Sequence, residues 1–246
     1  MPPVVAIIPA RLGSTRFPRK VLAAETGWPL IRHVWARARQ ASSVERVVIA
    51  TDSDEVARVV RGFGGECVLT GEHANGTSRL AEASRVLGLP DDAIVVNVQG
   101  DEPEMEPGVI DAAVGALRES RVDAATVASA FAPGEDPADP NLVKVVLAGD
   151  GTALYFSRAR IPFVREGGEA TPPLRHVGLY VYPAGVLRRY VELPMSPLER
   201  CEMLEQLRLL HHGLRIAVAV REVRSGGIDT PEQYAAFVRR HGAARV

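Results

Sequence analysis

Residues 4–20 read VVAIIPARLGSTRFPRK, a short apolar run that stops abruptly in a cationic loop. Val4, Val5, Ala6, Ile7 and Ile8 have the continuous apolar character of a strand buried on both faces. The loop after them carries Arg11, Arg16, Arg19 and Lys20, no acid, one glycine, the hydroxyls of Ser14 and Thr15, and Pro9 and Pro18 to limit its freedom. Open α/β sheets bind ligands outside the carboxyl ends of their strands. A polyanion such as a nucleoside triphosphate suits this loop. Lysine usage sharpens the reading: of 29 basic residues only Lys20 and Lys144 are lysines, so the loop retains a compact ammonium in a chain that otherwise uses arginine. The plainer alternative is a lysine left by chance on a solvated loop.

Working outward, apolar runs at 46–50, 66–69 and 93–98 alternate with helical patterns at 30–40, 53–62, 77–87 and 107–118. That alternation predicts parallel βαβ units and an α/β fold. After residue 122 the pattern changes. Runs at 123–130, 142–147, 153–156 and 175–182 lack long helices between them, which predicts an antiparallel or mixed portion within one domain spanning 1–246. Segments 131–141 and 165–173 read as loops. Alternation then resumes with a helix at 197–212, a strand at 216–220 and a helix at 231–241. Ser196-Pro197-Leu198-Glu199 and Thr230-Pro231-Glu232-Gln233 both carry a hydroxyl N-cap, proline at N1 and Glu or Gln at N3. Gly213 fits the end of the first of these helices.

Composition narrows the function classes. A hydrophobic fraction of 46% supports a sizeable core, and a net charge of −1 provides no global field to recruit nucleic acid. Cys67 and Cys201 form no metal motif and are expected to be buried apolar residues rather than a disulfide. Pro9 and Arg11 interrupt the first apolar run too early for a signal peptide. No stretch approaches the roughly 20 residues of a membrane span. A soluble, cytoplasmic protein without membrane partners is the expectation. The chain has no G-x-x-x-x-G-K-[ST] loop, no G-x-G-x-x-G opening a helix, no serine elbow and no H-E-x-x-H.

Several other segments could carry chemistry. Gln99-Gly100-Asp101-Glu102-Pro103 follows an apolar strand, where an acid can hold Mg²⁺ against a phosphate or simply shape a turn. Gly226-Gly227-Ile228-Asp229 offers a second carboxylate for the same ion, or an acid favoured by the following helix dipole. Segment 71–79 could read a base through its small polar residues and backbone amides, or be an ordinary helix start capped by Asn75 or Thr77. Arg158 and Arg160, with Arg175, His176 and Tyr180 downstream, suit a carboxylated, hydroxyl-rich substrate or a solvated arginine face. Glu202, Glu205 and Gln206 share one helix face, an arrangement more often directed to solvent. His211 and His212 suit the end of that helix as complements to its dipole.

Taken in order, Pro9-Ala10-Arg11…Ser14…Arg16…Pro18…Lys20, Ala50-Thr51-Asp52, Gly76-Thr77…Arg79, Gln99-Gly100-Asp101-Glu102-Pro103, Tyr155-Phe156-Ser157-Arg158, His176-Val177-Gly178…Tyr180, Leu204-Glu205-Gln206-Leu207-Arg208 and Asp229-Thr230-Pro231 closely resemble the 3-deoxy-manno-octulosonate (Kdo) cytidylyltransferases. The first motif is shared by wider sugar nucleotidyltransferases, whereas Tyr-Phe-Ser-Arg and Leu-Glu-Gln-Leu-Arg are much more specific to the Kdo branch. The resemblance runs from residue 4 to about residue 238. It implies a Rossmann-like, GT-A-like nucleotidyltransferase fold with a mixed, mostly parallel central sheet and an antiparallel insertion. The implied reaction is CTP plus Kdo giving CMP-Kdo and pyrophosphate, for lipopolysaccharide-type sugar synthesis. In that scheme Arg11, Lys20 and Arg16 face the phosphates, and Asp101 and Asp229 hold Mg²⁺. Pro9, Ala10, Ser14, Thr77, Arg79, Gln99 and Gly100 lie near the nucleotide. Gln99, Arg158, His176, Tyr180 and Glu205 position the sugar acid. The resemblance also implies a homodimer formed through 123–182. Asn75-Gly76-Thr77-Ser78 departs from the family's usual Ser-Gly-Thr-acid. The rival readings are a cytidylyltransferase for another acid sugar such as a sialic acid, a GT-A-like glycosyltransferase, and a nucleotide sensor without catalysis.

Overall fold

The computed structural model describes residues 1–13, 16–223 and 226–242. Strand β1 (Val4–Ala10) lies between β2 (Arg46–Thr51) and β4 (Ile94–Asn97), parallel to both, and β3 (Glu66–Leu69) adds in parallel beyond β2. The sheet continues through β8 (Leu174–Pro183), β5 (Ala124–Ala130) and β9 (Ile216–Val220), giving the order β3-β2-β1-β4-β8-β5-β9. β8 runs antiparallel to both β4 and β5, while β9 is parallel to β5. A hairpin of β6 (Lys144–Leu147) and β7 (Ala153–Ser157) joins β8 through the pair Lys144–Arg175. The mixed, mostly parallel sheet and the antiparallel portion after residue 122 match the reading of the sequence.

Strand alternation distributes the core to two faces. Val4, Ala6 and Ile8 pack with α1 (Leu30–Ala38), α2 (Asp54–Gly62) and α4 (Pro107–Ser120) through Val34, Val56 and Ile110. Val5 and Ile7 face the other way, toward Leu80 of α3 (Gly76–Val86) and Leu187 of α5 (Ala184–Tyr190). β1 and β2 follow one winding direction and β4 the other, so a crevice opens where the carboxyl ends of β1 and β4 diverge. Gly100 makes that approach feasible: a Cβ there would lie 2.6 Å from the Pro9 carbonyl oxygen.

Three local expectations are corrected. The helix read at 197–212 is two short helices, α6 (Pro197–Glu202) and α7 (Gln206–His211), separated at Met203, whose φ is 52°. The buried pair of Glu199 and Arg208, with bonds of 2.6 and 2.7 Å, favours the break because it draws the two helices together. α5 went unread because its seven residues directly continue the apolar β8. Cys201 is exposed and Cys67 only partly buried; both are free. The terminal helix α8 (Pro231–His241) has the expected capping box, with Thr230 and Gln233 bonding reciprocally.

Candidate active site

The crevice at the ends of β1 and β4 is a cleft of about 400 Å³. Pro9, Ala10, Arg11, Arg16, Lys20, Arg79, Gln99, Gly100, Asp101, Glu205 and Asp229 all line it. Segments far apart in sequence therefore meet where the cationic loop leaves β1. Ser14 lies outside the described residues.

Lys20 occupies the centre of this arrangement. Its Nζ donates to Asp101 Oδ2 at 2.8 Å, to the Ile228 carbonyl at 2.7 Å and to Asp229 Oδ1 at 3.1 Å. All the donors of an ammonium are engaged. Arg16 pairs with the other Asp229 oxygen at 3.0 Å. Arg11 is exposed, lines the cleft and forms no ion pair with a described residue. The backbone holds these groups in register: Ile228 N donates to Asp101 O at 2.8 Å, and the α8 cap Gln233 accepts from Asp229 N at 2.6 Å. Ile228 packs with Leu30, Tyr234 and Phe237, and Phe17 of the loop joins the same cluster. A small apolar core thus anchors both the loop and the Asp229 segment.

The opposite wall is the approach to α3. Asn75 caps that helix by accepting from Ser78 N at 2.8 Å, and the Ser78 hydroxyl returns a bond to Asn75 O at 3.1 Å. The departure from the family pattern is therefore a self-contained cap. Arg79 is buried and bonds Asp52 at 2.6 Å and Thr70 Oγ1 at 2.7 Å. Glu82 accepts from Gly71 N and from His73, which also lines the cleft. His73 was not singled out by sequence; it lay within a segment read for its small polar residues and backbone amides.

A second cleft of about 240 Å³ adjoins the first and shares Gly76, Gln99 and Glu205 with it. Thr77 and Tyr180 line this second cleft. Thr77 donates to Glu205 Oε2 at 2.8 Å, and Gln99 Nε2 donates to Gly178 O at 3.3 Å. Burial raises the Glu205 carboxyl above its ordinary pKa, opposed by the Thr77 bond. Nearby, burial and the Asp101 charge push Glu102 up to about 8. Gln206, read on one helix face with Glu205, lines the second cleft too, whereas Asn97, Tyr182 and Tyr190 line it and were missed by the sequence reading. Asn97 had a signal, a lone amide inside the apolar run 94–98.

Two expected sugar-acid residues line neither cleft. Arg158 directs its guanidinium to the carbonyls of Glu202, Pro140 and Met203 at 2.7, 2.9 and 3.3 Å. His176 is enclosed by Phe156, Tyr180 and Thr126, and burial, with the Arg175 charge, pushes its pKa down to about 3. It is neutral near pH 7.

A doubly wound sheet with a cationic loop facing paired acids at its switch point defines an α/β nucleotidyltransferase. A cytidylyltransferase family model matches residues 5–216. A 3-deoxy-manno-octulosonate cytidylyltransferase of Syntrophobacter fumaroxidans is 49% identical over 238 residues, covering 96% of this chain and 95% of that protein. One of the same name from Nitratidesulfovibrio vulgaris (strain Hildenborough) is 46% identical, over 92% of this chain and 91% of that protein. The solved structure of CMP:2-keto-3-deoxy-manno-octonic acid synthetase complexed with CTP has a TM-score of 0.90 and 39% identity, covering 99% of this chain and 100% of that one. A cytidylyltransferase from Leptospira borgpetersenii shares the fold, with a TM-score of 0.61 at 16% identity over 96% of this chain and 85% of that one. The chain belongs to the cytidylyltransferase family, in its 3-deoxy-manno-octulosonate branch.

Proposed function

We propose that this chain transfers CMP from CTP to the anomeric 2-hydroxyl of Kdo, giving CMP-Kdo and pyrophosphate. The observation that carries this reading is the junction of two clefts at Gln99 and Glu205, one lined by Arg11, Arg16 and Lys20 and the other by hydroxyls and amides. The relatives' name supplies the sugar acid, and the similar solved synthetase, complexed with CTP, supplies the nucleotide.

In this reading the triphosphate lies in the first cleft and the sugar acid in the second. The 2-hydroxyl oxygen bonds to the α-phosphorus as the bond from that phosphorus to the bridging oxygen breaks. Pyrophosphate leaves with that electron pair, and the hydroxyl proton passes to solvent. Arg11, Arg16 and Lys20 stabilise charge developing on the leaving group. Lys20 must exchange a carboxylate for a phosphate oxygen to do so. Thr77 and Glu205 sit where the sugar would meet the nucleotide.

Asp101 and Asp229 fit Mg²⁺, which needs one or two carboxylates and completes its shell with water and phosphate. Among the described residues no cluster of three or more acidic, His or Cys ligands competes with that assignment. When bound, the ion would supply positive charge against the phosphates. We further place a homodimer surface within 123–182, where Leu154 is 62% and Phe163 87% exposed. CTP as substrate puts the reaction in the cytoplasm. Among the described residues no helix is long and apolar enough to cross a membrane.

The test is pyrophosphate release from CTP with a panel of sugar acids, titrated with Mg²⁺. Kdo should be preferred, and Asp229→Asn should raise the Mg²⁺ requirement. Preference for a sialic acid, or no release with any sugar acid, would replace this reading. Light scattering that gives a monomer mass would remove the dimer.

A further inference from the structure

The second cleft contains a polar side chain without a partner. Asn97 is 3% exposed, and its Oδ1 is buried with no hydrogen bond. Its amide nitrogen bonds no described residue either, so turning the carboxamide over would leave the other end unpaired. Buried acceptors are nearly always satisfied, and one that is not calls for a cause.

The position argues against an accident of packing. Asn97 pairs with Ile7 on β1 and with Tyr180 on β8, in the middle of the sheet. The other β4 residues are Ile94, Val95 and Val96, and Val95 and Tyr182 extend an apolar core on the same face. A leucine would complete that wall. Across the strand pair, the Tyr180 hydroxyl is likewise buried without a bond of ordinary geometry. Thr126 lies near it, but the Thr126 hydroxyl is engaged with Leu179 O at 2.7 Å. Two unsatisfied groups on adjacent strands therefore line one cleft.

We infer that Asn97 selects the acceptor substrate: its carboxamide accepts a hydrogen bond from a sugar hydroxyl in the second cleft, beside the Tyr180 hydroxyl. The inference rests on the assignment of that cleft to the sugar acid. It also explains why the acceptor is neutral. Glu205 already places a carboxyl group in the cleft, and a further charge at residue 97 would repel the carboxylate of the incoming acid.

The experiment compares the full chain with Asn97→Leu and Asn97→Ala, measuring pyrophosphate release with Kdo varied at saturating CTP and then the reverse. For both variants kcat/KM for Kdo should fall roughly 10–10²-fold, while KM for CTP stays within about twofold. The Tm of Asn97→Leu without substrates should equal or exceed that of the parent, since an unpaired acceptor gives way to an apolar group. Unchanged kcat/KM for Kdo in both variants would overturn the inference and assign the amide to a bound water. Equal losses for both substrates together with a lower Tm would overturn it in favour of a structural role. If the unsubstituted chain releases no pyrophosphate with any sugar acid, the reaction itself is wrong and the inference falls with it. That outcome is read from the parent protein alone.

Discussion

The two lysines stand one in each half of the molecule, both buried and differently used. Lys20, at the ends of the parallel strands, bonds two carboxylates and one carbonyl on a cleft wall. Lys144, in the antiparallel half, donates to the carbonyls of Asp139 and Arg158 beneath the loop that follows β5. Burial lowers the Lys144 pKa, and the charges of Asp139 and Glu202 oppose that shift. A phosphate can replace a carboxylate at an accessible cleft, whereas a carbonyl inside the fold has no substitute. The first lysine is exchangeable and the second is a staple.

The largest expected effect tests that contrast directly. Lys20→Ala should lower turnover by about 10²–10³ while the protein remains folded, the scale of one lost preorganised transition-state contact. Steady-state rates with a parallel thermal melt would measure it, and a near-parental rate would make Lys20 a second staple. Lys144→Met should do the opposite. It leaves two carbonyls without their donor and should cost about 2–3 kcal/mol of stability. Denaturant unfolding would record the loss, and kcat per folded molecule should be retained. A fall in kcat at unchanged stability would erase the distinction between the halves.

The same contrast explains what the sequence revealed. Parallel strands all end on one side of a sheet, so Arg11 after β1 and Asp101 after β4 had to emerge together. Their convergence was legible from strand order and polarity alone. Asp229 was legible less directly, because its placement depends on Ile228 packing against Leu30 and Phe237. In the antiparallel half strand ends alternate, and residue type stops being a guide. Arg158 and His176 have the right chemistry for a sugar acid, yet their polar atoms serve other parts of the chain. The second cleft instead depends on the helix break at Met203, after which Glu205 and Gln206 line it. A helical period carried through 197–212 gave no warning of it, because the pair of Glu199 and Arg208 that favours the break is a tertiary contact.

Arg158 offers a smaller effect and a way to sharpen the boundary. Its guanidinium ties Pro140 to Glu202 and Met203, and Met203 lines the second cleft. Arg158→Ala should cost about 1–2 kcal/mol in urea unfolding and raise KM for Kdo a few-fold. Arg158→Lys should recover little, because a single ammonium cannot reproduce the fork. If stability is unchanged while kcat/KM for Kdo falls by about 10² or more, Arg158 contacts substrate as the family resemblance implied, and the antiparallel half contributes charge to the site after all.

The smallest effect lies with His176 and appears only as a change of slope. The folded ring has its pKa pushed down to about 3, while the unfolded side chain keeps the ordinary value of 6.5. Between those two values the unfolded chain binds a proton that the folded chain refuses, so this group makes stability fall as pH falls. Above about pH 6.5 both states are neutral and its contribution is flat. His176→Gln retains a polar partner for Thr126 but cannot titrate. Melting temperatures from pH 7 to pH 4 should therefore decline less steeply in the variant, even if its Tm at pH 7 is lower. Parallel curves for the two proteins would mean that His176 accepts its proton in the folded state. The ring would then be available as a cation beside the second cleft, and the antiparallel half would hold an ionisable group for the sugar acid, as the parallel half does for phosphate.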